Sequence, residues 1–171
     1  MEWGTLAVAA VGAVFGIGAT LVADVLRARR ELDQRWADTK RVVYVRFLTS
    51  LAQAHSRVTV VAFREEPGPV REQAVHHAFL SDPQHADAKS VLRELAIAAP
   101  DHIYRAAVPV YEQLRATRDL LASHPVGPES PEYQQLSWPF FKDLDALQQL
   151  MRDDLRPPAP SRAQMMRSRS R

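Results

Sequence analysis

The sequence predicts an all-α protein: a single N-terminal transmembrane helix continuing into an antiparallel bundle of three to four helices, then a disordered basic C-terminal tail. Three observations predict it. Gly4 to Ala23 carries no charge, apolar residues recur at helical spacing through most of the remaining chain, and short Pro/Gly stretches divide the periodic segments. The expected organisation is therefore a membrane anchor over residues 1–26, a cytosolic helical bundle over 27–156 and an Arg-rich tail over 157–171.

The apolar head is about 20 residues long, enough as a helix to span a hydrocarbon core of roughly 30 Å. A secretory signal would carry basic residues before the apolar run and a small-x-small cleavage site after it. Here Met1, Glu2 and Trp3 precede the run, and an arginine-rich segment comes after it. Basic residues stay on the cytoplasmic side, so the expected location is the cell membrane, single-pass, with the N-terminus outside and the C-terminal domain cytoplasmic. Leu6, Val8, Val11, Val14, Phe15, Ile17, Leu21 and Val22 contribute together roughly −2.5 to −5 kcal/mol to insertion. Thr5, Ala9, Gly12, Gly16, Ala19 and Ala23 recur at alternating steps of four and three, and Gly12 with Gly16 forms a GxxxG. Ala9, Gly12, Gly16 and Ala19 are thus the expected membrane-helix packing face, although small residues are also common in Ala-rich membrane helices.

Nothing interrupts the helical pattern from Asp24 to about Phe63, so the anchor is expected to run on into one long helix. Leu32, Trp36, Val43, Phe47, Leu51, Ala54, Val58 and Val61 form its stripe, widened by Tyr44 and Leu48. The β-branched run "VTVVAF" lies on that stripe and is read as helix. "EEPGP", Glu65 to Pro69, stops it. Two short patterns come next, Val70 to Leu80 and Gln84 to Ala98, split at Pro83; Val91, Leu92, Leu95 and Ala99 mark the buried side of the second. Pro100 and Asp101 open the next helix, with Pro in its first turn and the stripe Ile103, Ala107, Val110, Leu114 and Leu121. Pro109 should kink it rather than end it. Ser130, Pro131 and Glu132 start the last helix, on which Phe140, Leu144, Leu147, Met151 and Leu155 are the apolar face.

Charge and composition limit the chemistry. The chain of 171 residues contains no cysteine, which excludes disulfides, thiolate metal sites and cysteine nucleophiles. Mean hydropathy is −0.26 despite the apolar head, so the remainder is polar and long enough to hold a core. The net charge of +2 conceals two basic clusters, one from Arg27 to Arg41 and one from Arg162 to Arg171. Arg27, Arg29 and Arg30 are the expected lipid-headgroup contacts, at about 1 kcal/mol per base near an anionic leaflet. The competing use of the terminal "RSRSR" is nucleic-acid binding, for which a few bases without interleaved aromatics are a weak signal.

No catalytic, cofactor or metal constellation emerges. His76 and His77 diverge by about 100° on a helix and have no HExxH partner, and His77, Asp82 and His85 meet only across the Pro83 break. His102 and His124 stand alone. His55 lies in the long helix, but Ser56, Arg57, Val58 and Thr59 come after it, not the acid and proline of a sensor-kinase phosphoacceptor. Asp143, Asp145, Asp153 and Asp154, interleaved with Lys142 and Arg152, read as a solvated face. P-loop, GxSxG and dinucleotide fingerprints are missing.

Three short motifs carry a resemblance: Arg41, Tyr44, Phe47 and Leu48; Leu95, Ile97, Ala99 and Pro100; and Met151, Arg152, Asp154 and Leu155. With them the chain resembles uncharacterised actinobacterial small single-pass membrane proteins with a cytosolic helical domain. The resemblance implies architecture and no activity. The expected role is a non-enzymatic, membrane-tethered interaction or scaffold module, coiled-coil-like, whose partners are inner-membrane lipids and a second copy or another membrane protein. The alternative is a tethered nucleic-acid-binding regulator.

Overall fold

The computed structural model describes residues 3–80 and 87–156, with the side chains of residues 3–26 and of Arg30 outside the description. Among the described residues there are five helices and no strand: α1 (Trp3–Arg64), α2 (Pro69–Leu80), α3 (Ala88–Ala98), α4 (Asp101–Ser123) and α5 (Pro131–Asp154). The two short segments on either side of Pro83 are separate helices, as the split read there predicts, which brings the helices to five against the three to four expected of the bundle. Two compact units are distinguished, residues 1–39 and residues 40–171. The first is formed by the N-terminal part of α1, and the second contains the bundle.

α1 runs unbroken for 62 residues and keeps "VTVVAF" helical as its stripe requires. Its end is set by Pro67 and Pro69. Gly68 between them has φ of +153°, where a side chain is strained, and its carbonyl accepts from Glu72 N at 3.1 Å to begin α2. α3 begins at Ala88, and the expected start at Gln84 lies outside the described residues. Asp87 is extended, at φ −56° and ψ 151°, and its carboxylate accepts from Ser90 N and Ser90 Oγ at 3.0 and 2.8 Å. A capping side chain precedes the helix it caps, and Asp87 does so here. In the same way Pro100, at ψ 151°, precedes the first turn of α4 and does not lie within it. α5 starts as the sequence predicts, with Ser130 capping and Pro131 at the first turn. Pro109 and Pro139 both lie inside helices that continue past them.

Paired contacts fix how the helices run. Tyr44 meets Asp154, His55 meets Phe140 and Phe63 meets Tyr133, so α1 and α5 are antiparallel. Arg71 meets the carbonyls of Leu121 and His124, whereas Phe79 meets Tyr111, so α2 and α4 are antiparallel too. α4 lies at the centre of the later helices: α2, α3 and α5 each pack on it.

One core cluster joins all five helices, with Phe47, Leu51, Val75, Val91, Leu95, Ile103, Leu114, Leu121, Phe140 and Leu147 among its most buried members. Each fully buried apolar side chain of this size contributes about 1.5–3 kcal/mol relative to exposure. The predicted stripes of α4 and α5 form the helix sides of this cluster, Leu144 and Leu155 at its edge. On α1 the prediction holds only from Val43 onward. Leu32 and Trp36 are 64% and 51% exposed, because the first unit offers no second helix to cover the stripe there.

Of the α5 aspartates, Asp145 and Asp153 are exposed as the solvated-face reading expects, whereas Asp143 and Asp154 are not. Asp154 accepts from Lys40 Nζ at 3.1 Å and Tyr44 Oη at 2.8 Å, with its side chain only 13% exposed. Asp143 accepts from Gln113 Nε2 at 2.7 Å, linking α5 to α4. Periodicity alone cannot show that a neighbouring helix supplies donors to an acidic face.

Candidate interaction surfaces

The expected membrane-facing residues fall mostly outside the described side chains. Ala9, Gly12, Gly16, Ala19 and Arg30 lie on backbone that is helical, and their side chains are outside the description. Arg27 and Arg29 are exposed. Among the described residues no helix is long and apolar enough to cross a membrane. The side chains of the apolar run Gly4 to Ala23 lie outside the description, as does the Arg-rich tail over 157–171.

The clearest surface feature of the first unit is the uncovered continuation of the α1 stripe. Leu32, Trp36, Thr39 and Val43 succeed one another at steps of four, three and four, so Leu32 and Trp36 share a helix face with Val43. Arg29, Glu31, Asp33, Arg35 and Asp38 surround them with both signs of charge. The chemistry of this face is that of a helix-pairing seam, apolar in the middle and mixed-charge at the flanks.

A second apolar feature lies on α5. Trp138 and Phe141 are 75% and 47% exposed and line a shallow depression together with Lys142 and Asp145. Behind it, His55 of α1 is 6% exposed, stacks on Phe140 at 5.0 Å and meets Phe141 edge-on at 4.8 Å. Its Nε2 is buried without a hydrogen-bond partner, and burial holds the imidazole below its ordinary pKa. A third feature is a groove of about 450 Å³ between α1 and α5, with Arg41, Arg152 and Arg156 around Tyr44, Leu48 and Met151. Desolvation, then the bond to Asp154, pushes the Tyr44 phenol well above its usual range, so it remains a donor throughout ordinary pH.

His76 is half-buried, His77, His102 and His124 are exposed, and His85 lies outside the described residues with Asp82. Among the described residues no group of histidine and acidic side chains could hold a metal ion.

Two structural residues have no signal in the sequence pattern. Arg71 of α2 is 4% exposed and donates from Nε to the Leu121 carbonyl at 3.1 Å and from Nη2 to the His124 carbonyl at 3.0 Å. It donates to the Leu121 carbonyl at the end of α4 and shares the His124 carbonyl with Val126 N, and its positive charge faces the negative end of that helix. Lys40 is the other, paired with Asp154 across the bundle. Neither position differs in sequence from a solvated base.

No family model, curated protein or solved structure matches the chain.

Proposed function

We propose that the protein is a single-pass, N-out membrane protein whose cytosolic helical bundle serves as a non-enzymatic interaction module, self-associating through α1. The observation that carries this reading is the exposed pair Leu32 and Trp36 on a helix stripe that is otherwise core. An apolar seam with mixed-charge flanks favours a second copy of itself, because side-by-side helices then bring opposite charges within reach. The uncharged run Gly4 to Ala23 and the arginines after it support the tether and its orientation. Arg27, Arg29 and Arg30 lie against the inner leaflet in this reading, and the GxxxG of Gly12 and Gly16 adds a second contact within the membrane.

Alkaline carbonate extraction tests the tether: the protein stays in the pellet, and release of the intact chain into the supernatant would remove the anchor from the reading. Crosslinking in native membranes tests the seam. Leu32→Glu with Trp36→Glu should reduce dimer yield about tenfold, equivalent to roughly 1.4 kcal/mol of association. Equal yields from variant and parent would eliminate self-association through this face.

A further inference from the structure

α2 and α3 both pack on α4 but, among the described residues, not on each other. The space between them is a cleft of about 520 Å³, inside the roughly 300–1,000 Å³ range of small-molecule sites. Its wall is built from three helices. Tyr104, Val108 and Tyr111 come from one face of α4, Phe79 from the end of α2, and Leu92 from α3. The result is an apolar wall with aromatic members, Tyr104 more open to the cleft than the mostly buried Phe79 and Tyr111.

The rim is basic. Lys89 and Arg93 stand one turn apart on α3, and Arg115 and Arg118 line the cleft from α4, against one acid among the described lining residues, Glu112. The α4 pair is already matched: Arg115 Nη1 binds Glu112 at 2.8 Å, and Arg118 Nη2 binds Asp119 at 2.6 Å. Arg118 also lies over the Phe79 ring at 4.5 Å, which fixes its guanidinium as part of the wall. Lys89 and Arg93 are exposed. Asp87, the cap of α3, feels the charge of Arg93, but its carboxylate is taken up by Ser90, and Glu94 on α3 itself pairs with Arg46 at 2.7 Å. The cleft therefore combines an aromatic face with an excess of positive charge at one edge.

We propose that this cleft binds a small aromatic anion: a molecule with a flat apolar body against Tyr104, Val108 and Tyr111, and one carboxylate, sulfonate or phosphate group held by Lys89 and Arg93. Stacking supplies affinity for the body, and charge-assisted hydrogen bonds orient the acidic group. The site lies within residues 40–171 and does not depend on the tether or on self-association.

Calorimetric titration of the purified full-length chain with 2-naphthalenesulfonate tests it, with 2-naphthamide as the uncharged control. The sulfonate binds saturably at one site, and the amide binds at least about tenfold more weakly. Lys89→Gln with Arg93→Gln weakens the sulfonate about tenfold and leaves the amide unchanged; both residues are exposed, so the fold is retained. Val108→Trp, which fills the wall, removes both while circular dichroism and the melting temperature confirm folding. Absence of saturable sulfonate binding overturns the proposal. So does sulfonate binding insensitive to the Lys89 and Arg93 substitutions, or sensitive instead to Arg152→Gln with Arg156→Gln in the groove between α1 and α5.

Discussion

Arg71 and His55 show how much a single buried polar side chain can decide. Arg71 costs little to bury because both its donating nitrogens find carbonyls at a helix end that would otherwise be incomplete. Replacing it with Met leaves the Leu121 carbonyl without its donor, while His124 keeps the bond from Val126 N, and unfolding in urea should show a loss of about 1–3 kcal/mol. Lys should recover little, since a point charge cannot reproduce the two-pronged geometry. His55 acts in the opposite sense. Burial lowers its pKa from the usual 6.5, so the folded protein prefers the neutral ring while the unfolded chain protonates at its ordinary value. The stabilisation from a neutral His55 is complete above pH 6.5 and is lost as pH falls from there through the folded value. His55→Phe keeps a ring against Phe140 and removes the titration. The drop in urea midpoint between about pH 7.5 and pH 5 should therefore be smaller in the variant than in the parent.

At the scale of the elements, boundaries are decided by a few backbone-specific residues. Gly68 and Gly127 both have open space where a Cβ would go, yet only Gly68 has a positive φ. Gly68→Ala should therefore destabilise by about 1 kcal/mol or more through backbone strain alone, and Gly127→Ala should be neutral or stabilise by up to about 1 kcal/mol. Thermal melts of the two variants separate these outcomes. The turn at Glu65 to Pro69 and the cap at Ser130 are legible in the sequence because proline, glycine and serine act locally. Asp87 is equally available as a cap, but the helical pattern upstream at Gln84 obscures it. Apolar spacing reports a face, and it does not report where the backbone changes conformation.

For the whole molecule, the core begins at Val43 and every helix from there to Asp154 contributes to it. Lys40 and Tyr44 then close the bundle onto Asp154 at the far end of α5. Residues 40–156 should accordingly fold alone, giving a helical spectrum and one cooperative urea transition; a non-cooperative transition would show that the upstream part of α1 is needed. Tyr44→Phe in the full chain should cost about 1–2 kcal/mol, because Asp154 then loses a donor at a partly buried site. The exposed Leu32 and Trp36 contribute nothing to that core, which is why their conversion to Glu is expected to leave unfolding unchanged while reducing association.

The sequence by itself determined the helical class, the long first helix, the principal turns and most of the inward faces of α4 and α5. Those properties depend on neighbours within a few residues or on a repeat of about 3.6, and both are local. Only the tertiary structure decided that Leu32 and Trp36 stay uncovered while Val43 does not, that Arg71 caps a helix end 50 positions away, and that Asp154 is paired across α1 and α5. It alone placed Lys89 and Arg93 beside an aromatic wall from α2 and α4. Each of these depends on which helix lies alongside which, and a residue's own periodicity carries no record of the element that will face it.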